Sequence, residues 1–136
     1  GGVVEAVRAE LAERVAAVRA AGVDDARLVL DPGLGFAKNG EHNWQLLRGL
    51  GRVADLGFPL LVGASRKSFL GALLADGPDG PDGAGPRPPR GREVAGHAVS
   101  AWLAAHHPGL WGVRVHDVQG TRDVLAVMNQ LQEGPA

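Results

Sequence analysis

The 136-residue chain has no cysteine and no tyrosine, and neither charge sign is in excess. Without cysteine there is no disulfide and no thiolate zinc site, so a metal would need imidazole, carboxylate or amide ligands. The net charge of -1 gives no reason to expect nucleic acid or an anionic membrane surface as a partner. The length is typical of one soluble domain, which makes a single domain the first expectation.

Long apolar runs are also absent from the sequence. No stretch approaches the roughly 18 apolar residues that a membrane span requires, and the first residues lack the basic-then-apolar order of a signal peptide. We therefore expect a cytoplasmic protein that acts without a membrane and in a reducing compartment.

Glycine and proline, in contrast, are abundant, with 21 and 9 residues. Ten of them lie in the segment 77–91, which has almost no apolar side chains. Because such a segment cannot offset the entropy of ordering, we predict that it forms a flexible loop. Several other glycines follow short apolar runs, where the backbone must turn sharply or approach a ligand.

Helical patterns alternate along the chain with short apolar runs of strand length. The patterns predict helices over 4–18, 46–54, 69–74, 95–103 and 124–131, and strands over 27–30, 59–62 and 112–115. Continuous apolar strands between helices indicate an α/β fold with parallel strands buried on both faces, as in barrels and doubly wound sheets. All three predicted strands end in polar motifs, where α/β folds bind their ligands.

The first motif, DPGLGFAK over residues 31–38, ends the first predicted strand. Asp31 places a carboxylate there, and two glycines let the backbone approach a ligand. The spacing is not that of a dinucleotide-binding loop, because Lys38 occupies the position of the third glycine. Two alternatives stay open: Asp31 as a turn-former that caps its own loop, and Phe36 as a loop anchor packed on the core.

The second motif, GASRKSFLG over residues 63–71, lies where a strand gives way to a helix. Free backbone N–H groups at such a junction favour an anion. The glycine that a Walker loop needs before Lys67 is missing, so we expect no nucleoside triphosphate site. In the alternative interpretation Ser65 caps the helix, and Arg66 and Lys67 are solvated.

The third motif contains Arg114 and His116, which are two residues apart and therefore share one face of a strand. On a buried face these cations would need an anion, and a ligand phosphate fits the guanidinium fork and the ring N–H. The alternative is internal pairing with Asp117 or another carboxylate. The other histidines lack metal-ligand spacing and are predicted to be surface or packing residues: His42, His97, His106 and His107.

Taken together, three segments resemble the dihydropteroate synthase family: DPGLGFAKNGEHN (31–43), LLVGASRKSFLG (60–71) and RVHDV (114–118). The resemblance implies a (β/α)8 barrel that joins 6-hydroxymethyl-7,8-dihydropterin diphosphate to 4-aminobenzoate in folate synthesis, with release of diphosphate. It also implies a sulfonamide target and a homodimer formed by helices late in the chain. In this family the bond to diphosphate breaks early, so stabilising the leaving diphosphate is the main catalytic task.

A barrel of this type needs about 250 residues and eight strands. We therefore expect the 136 residues to be its C-terminal portion, with about three parallel strands and four or five helices. The first predicted helix has no clear N-cap and no initiator methionine, which favours a chain that begins partway through something larger. On this hypothesis the chain is inactive alone.

By resemblance, Asp31 and Lys67 are the catalytic pair. Asp31 would hydrogen-bond the edge of the pterin ring, and Lys67 would contact the pterin and border the aminobenzoate site. Arg114 and His116 would hold the diphosphate. Mg²⁺ is the implied cofactor, with its asparagine ligand expected in the N-terminal half and with the substrate diphosphate as a further ligand, so that no metal ligand is assigned within this chain.

The remaining implied binding residues are Gly63, Phe36 and Ser68. Phe36 and Ser68 would form part of the aminobenzoate pocket, with Ser68 at a helix N-terminus suited to the carboxylate. Small molecules are thus the expected partners.

Two other functions remain open. A non-catalytic paralogue or split remnant could act as a binding or assembly partner, although a decayed site has no physical need to retain two buried cations. A pterin-binding methyltransferase barrel shares the architecture and the pterin-binding carboxylate, but it lacks the SRKS element of residues 65–68.

Overall fold

A computed structural model describes residues 2–36, 39–75 and 85–134. Over these residues the chain has an α/β fold that is rich in helix, and its two short strands pair in parallel. The helices are α1 (Val3–Ala20), α2 (Gly40–Arg48), α3 (Leu50–Ala54), α4 (Ser68–Leu73), α5 (Glu93–His106) and α6 (Val118–Gln132), and the strands are β1 (Leu60–Val62) and β2 (Leu110–Val113).

The chain divides into two compact units. The first comprises the described residues up to Val62 together with Gly109–Gly112, and the second comprises those of Gly63–Pro108 and from Val113 onward. Among the residues with described positions, no helix has both the length and the apolar content of a membrane span.

Helix α1 of the first unit forms where the sequence predicts it. Val7 and Val15 lie about two turns apart and are both buried. No side chain caps the N-terminus of α1, in line with its sequence. Gly22 follows its C-terminus with φ +92°, a left-handed conformation that glycine adopts without the Cβ clash of other residues.

The strand predicted over 27–30 is largely absent. Asp25–Arg27 form a 3₁₀ turn instead, and only Leu30 makes a bridge, which is parallel and pairs it with Leu60. The turn uses the backbone N–H groups before the bridge, and Pro32 has no N–H to extend pairing beyond it. The predicted number of strands, three, was therefore too large: the described residues form two strands and one isolated bridge.

The helix predicted over 46–54 is broken into α2 and α3 at Gly49. This break gives six helices over the described residues, where four or five were predicted. Helix α1 packs against both pieces. A Cβ atom at Gly49 would lie only 2.7 Å from Val4 Cγ2, so α1 approaches the chain closely at the break. Leu46, Leu50 and Val53 are fully buried in this core.

The second unit is built on α4, α5 and α6. Helices α5 and α6 pack against each other, and a 3₁₀ turn at Pro89–Arg92 contacts both α4 and α5. Phe69, Leu70 and Leu103 are its buried large side chains. Asp117 begins α6 by accepting a hydrogen bond from the Gly120 N–H at 3.0 Å, which satisfies one free donor of the first turn.

Candidate functional site

Residues 63–67 connect β1 to α4 in a tight turn. The Lys67 N–H donates to the Ala64 carbonyl at 3.1 Å, and Lys67 itself stands at the N-cap position of α4. No side chain caps this helix, so the alternative that Ser65 caps it is wrong. The turn leaves Lys67 half-buried and Ser68 exposed at the first position of α4.

Arg66 occupies the left-handed region at φ +60°, which is unusual for a residue other than glycine. Its Nε donates to Glu93 Oε1 at 2.5 Å, and its carbonyl accepts from Arg92 Nη1 at 2.8 Å. The Arg66 side chain is only one-third exposed. The alternative of a solvated Arg66 is therefore wrong, because α5 and the preceding turn hold it at both ends.

Arg92 also binds the segment that precedes α5. Its Nε donates to the Arg87 carbonyl at 2.7 Å, and the Arg87 N–H donates to the Gly71 carbonyl at 3.2 Å. Residues 77–84 of the predicted flexible loop lie outside the described residues. Arg87, in the described part of that segment, makes both contacts, so the end of the segment is tied to α4 and, through Arg92, to the turn that carries Lys67.

Arg114 and His116 lie beyond the end of β2. The strand predicted over 112–115 ends at Val113, and both side chains are exposed, so the prediction of a shared buried strand face is wrong. Within the described residues β2 pairs only with the three-residue β1, which leaves no ladder for residues past Val113.

Gly63 lies directly beneath the Arg114 side chain. A Cβ atom at Gly63 would be 2.7 Å from Arg114 Nη2 and 3.1 Å from Cζ. Both distances are shorter than van der Waals contact, so any residue with a Cβ atom would clash with the guanidinium. Glycine therefore allows the guanidinium to occupy its observed position.

His116 and Ser65 form a two-point contact. Ser65 Oγ is 2.9 Å from His116 Nδ1, and the backbone N–H of His116 donates to the same oxygen at 3.2 Å. The alternative that Asp117 neutralises His116 is wrong, because His116 bonds Ser65 while Asp117 bonds Gly120 and lies next to His97.

Glu93, His97 and Asp117 form a cluster that the sequence analysis did not find. One ligand atom of each lies within 4.8 Å of the others, close enough for the three to hold a metal ion. Glu93 already accepts from Arg66, however, and a cation there would compete with that guanidinium. His97 Nε2 is buried 3.0 Å from Asp117 Oδ2, yet it makes no hydrogen bond of good geometry to a described residue.

A sequence signal for half of this cluster existed. Glu93 and His97 are four residues apart and therefore share one face of a helix. Their contact with Asp117 is long-range in sequence and depends on the packing of α5 against α6. Spacing alone could not have identified it.

The second unit contains an open cleft of about 540 Å³ over the turn and the segment after β2. Four of its lining residues are basic or ionisable as cations, and none is acidic. The lining comprises Gly63, Ser65, Arg66, Lys67, Pro89, Arg114, Val115 and His116. Such a surface favours an anion with several oxygen atoms.

In the first unit, Asp31 shapes the loop that follows Leu30. Its Oδ1 accepts from the Gly33 N–H at 2.8 Å, so the proposed turn-forming role is observed. Gly33 and Gly35 both have positive φ, at +74° and +83°. Phe36 is 62% exposed, and the alternative of a loop anchor packed on the core is wrong.

Asn43 holds this loop, and the sequence analysis gave it no individual role. It is 98% buried, its Oδ1 accepts from the Gly35 N–H at 2.7 Å, and its Nδ2 donates to the Asn39 carbonyl at 2.9 Å. Its position on a helix that is otherwise apolar on its inner face was the available signal.

The predicted site residues thus fall into two groups. Gly63, Lys67, Arg114 and His116 line the cleft of the second unit, and Ser68 follows Lys67 without lining it. Asp31 and Phe36 belong to the first unit.

Comparison with known proteins decides the family. Residues 1–116 match the family described as pterin binding enzyme. The chain belongs to the pterin-binding enzyme family. It is 54% identical over 134 residues to the dihydropteroate synthase of Mycobacterium leprae, a match that covers 98% of this chain and 45% of the relative. The predicted resemblance to dihydropteroate synthase is confirmed.

Other pterin-binding relatives agree in sequence and in structure. The Streptococcus pyogenes serotype M6 dihydropteroate synthase is 41% identical over 121 residues, covering 89% of this chain and 41% of the relative. The Xanthomonas albilineans dihydropteroate synthase with 4-aminobenzoic acid superposes with a TM-score of 0.85 at 38% identity, over 99% of this chain and 47% of that one. The chain spans less than half the length of these relatives.

Proposed function

We propose that this chain contributes to a dihydropteroate synthase, which condenses 6-hydroxymethyl-7,8-dihydropterin diphosphate with 4-aminobenzoate to give 7,8-dihydropteroate and diphosphate. The observation that carries the proposal is the cleft of the second unit, in which Lys67, Arg114 and His116 meet without an acidic neighbour in the lining. Family membership favours the same substrates, since a Xanthomonas albilineans relative was solved with 7,8-dihydropteroate.

In this proposal Arg114 and His116 bind the diphosphate. The C–O bond to the pterin methylene breaks, and its electron pair leaves with the diphosphate oxygen. The arylamine nitrogen then forms the new C–N bond and loses a proton to solvent. Charge-assisted hydrogen bonds to the leaving group strengthen as its charge develops, which lowers the barrier.

Lys67 is proposed to contact the pterin and to border the aminobenzoate site. It is half-buried in the cleft lining, where its ammonium group can reach a bound ligand. Ser68 and Phe36 are proposed to contact aminobenzoate, and both are exposed and so accessible to a ligand. Gly63 acts by leaving room for the Arg114 guanidinium.

Asp31 is proposed as the carboxylate that hydrogen-bonds the pterin edge. One of its oxygens accepts the Gly33 N–H, which fixes the orientation of the carboxylate. A carboxylate held in one orientation can accept two parallel N–H donors from a heterocycle.

Mg²⁺ is proposed as the cofactor of the whole enzyme. The lining of the cleft provides cations and one hydroxyl but no carboxylate or amide side chain, so by itself it does not fit a Mg²⁺ site. We propose that Mg²⁺ is held by the substrate diphosphate and by an asparagine in the N-terminal half of the whole enzyme.

For the architecture, we propose that residues 1–136 form the C-terminal part of a (β/α)8 barrel. The superposition on dihydropteroate synthase supports this. We further propose a cytoplasmic enzyme that binds small molecules rather than nucleic acid or membrane, and that is a homodimer in its full-length form.

A hybrid enzyme tests the proposed function. The segment of the Mycobacterium leprae synthase that aligns with this chain is replaced by the chain, and formation of 7,8-dihydropteroate is assayed with both substrates and Mg²⁺. We expect an active hybrid, with activity reduced at least about 100-fold by Lys67→Ala or Arg114→Ala.

Arg14→Ala is the matched control, because Arg14 is a cation on the exposed face of α1. This hybrid should keep full activity. A folded hybrid without activity would exclude the synthase and favour a non-catalytic paralogue. Full activity in the Lys67→Ala hybrid would remove the proposed role of Lys67.

A further inference from the structure

We propose that Ser65 is a positioning residue that fixes the proton of His116 on Nε2, the form of the ring that can donate to an anion in the cleft. The proposal rests on the proposed function for its choice of anion. Its geometric basis is the two-point contact between Ser65 and His116, which is independent of that function.

The donors and acceptors at this contact determine which group donates the hydrogen bond between Ser65 Oγ and His116 Nδ1. The backbone N–H of His116 can only donate, so Ser65 Oγ accepts from it. The hydroxyl then has one hydrogen left to donate. No other described acceptor bonds it, and His116 Nδ1 lies 2.9 Å away. Donation to Nδ1 satisfies both the hydroxyl hydrogen and the nitrogen lone pair.

This arrangement determines which nitrogen of the neutral ring carries the proton. When Nδ1 accepts a hydrogen bond, the proton of a neutral imidazole is on Nε2. The opposite tautomer would place a bare lone pair at Nε2, and a lone pair repels an oxyanion. His116 lines the cleft with Lys67 and Arg114, so an Nε2–H donor adds to their attraction for an anion.

Ser65 is itself held in place by the fold. It lies in the turn between β1 and α4, one residue before Arg66, whose side chain and carbonyl are both bound. The backbone of His116 is fixed to the same hydroxyl that orients its ring. One side chain therefore sets both the position and the tautomer of His116.

The first experiment measures the tautomer directly. The chain is labelled with ¹⁵N at histidine, and the ring nitrogens of His116 are observed by long-range ¹H–¹⁵N correlation at pH 8. We expect a protonated Nε2 and an accepting Nδ1. A protonated Nδ1 in the unsubstituted chain would overturn the proposal without any variant.

Two substitutions complete this experiment. Ser65→Ala removes the donor, and we expect the ring to become a mixture of both tautomers. Ser65→Thr keeps a hydroxyl and should restore the Nε2 form, which a purely structural loss would not do. A His116 spectrum that is unchanged in Ser65→Ala would overturn the proposal.

The second experiment measures binding of inorganic diphosphate to the same three proteins by calorimetry. We expect Ser65→Ala to weaken binding about 3- to 10-fold and Ser65→Thr to bind within about 2-fold of the original chain. Equal binding by all three proteins would overturn the role of Ser65 in anion binding. Absence of binding in the original chain, with the expected tautomer, would contradict the proposed function and leave the assignment of the ring proton supported.

Discussion

Gly63 sets the position of the Arg114 guanidinium. Gly63→Ala would place a methyl group 2.7 Å from Arg114 Nη2. Because the clash is with the end of a flexible side chain, the guanidinium can move away at little cost in stability. We expect diphosphate binding to weaken about 10-fold while the melting temperature stays almost unchanged.

Gly112→Ala is the control for that substitution. A Cβ atom at Gly112 meets Leu61 Cδ1 at 3.8 Å, which is an ordinary contact. Calorimetry with inorganic diphosphate should therefore give the affinity of the original chain. Undiminished affinity in Gly63→Ala would show that the position of Arg114 does not depend on this glycine.

Arg66 is a second residue whose backbone conformation can be tested. At φ +60° a side chain with a Cβ is strained, whereas glycine is not. Arg66→Ala and Arg66→Gly both lose the hydrogen bond to Glu93, so their difference isolates the backbone. We expect the glycine variant to be more stable than the alanine variant by about 1 kcal/mol in urea unfolding.

Arg48 provides the opposite result as a control. It lies in α2, where alanine is the better helix former. Because Arg48 is the last residue of α2, Arg48→Gly should be less stable than Arg48→Ala by about 0.5 kcal/mol. If glycine is the less stable replacement at both positions, Arg66 is not strained.

At the scale of elements, Gly49 determines how α1 packs on the α2 and α3 pair. Gly49→Ala would bring a methyl group against Val4 Cγ2 and within 3.2 Å of the Gln45 carbonyl. Overpacking of this kind costs about 1–3 kcal/mol. We expect a loss of that size in the free energy of unfolding, measured in urea.

The neighbouring glycine of α3 gives the matched comparison. Nothing lies within 4 Å of a Cβ atom at Gly51. Because alanine favours a helix more than glycine does, Gly51→Ala should stabilise the chain by about 0.5–1 kcal/mol. If both substitutions changed the free energy of unfolding in the same direction, the approach of α1 would not limit the size of residue 49.

Elements with long periodic patterns were predictable from the sequence, and short ones were not. Helix α1 was predictable because buried apolar residues such as Val7 and Val15 repeat at helical spacing along a long helix. The strand over 27–30 failed because an apolar run does not reveal the 3₁₀ turn at Asp25–Arg27. The close approach of Val4 to Gly49 joins residues that are 45 positions apart in sequence, so local spacing does not reveal it.

The site was predictable in its residue types but not in its contacts. Lys67, Arg114 and His116 follow strand ends and line one cleft, as the order of motifs favoured. The bond between Ser65 and His116, and that between Arg66 and Glu93, join residues 51 and 27 positions apart. Such pairs depend on tertiary packing. Local sequence had left open that Ser65 caps α4 and that Arg66 is solvated, and both alternatives were wrong.

At the scale of the whole molecule, we expect the stability of the fold at low pH to depend on the protonation of its carboxylates. Hydrogen bonds from Arg52 and Arg19 lower the pKa of Glu5 and of Asp25 below their ordinary values of 4.5 and 3.8. A carboxyl group whose pKa is lowered by folding stabilises the fold above its ordinary pKa, and this is lost as the pH falls. Both pairs are exposed, so each contribution is small.

His107 acts in a separate and higher pH window. Burial lowers the pKa of its ring from the ordinary 6.5, and the neighbouring His106 lowers it further. The unfolded chain therefore binds a proton at this ring at a higher pH than the folded chain does. The contribution of His107 to the free energy of unfolding is fully present above about pH 6.5, and it is lost as the pH falls toward the folded pKa.

We expect the free energy of unfolding in urea to decrease between pH 7.5 and 5.5, before the carboxylates titrate. In His107→Gln this decrease should become smaller, and in His106→Gln it should shrink only by the part that His106 contributes. An equal decrease in the original chain and in His107→Gln would show that the buried ring of His107 is not the group that titrates.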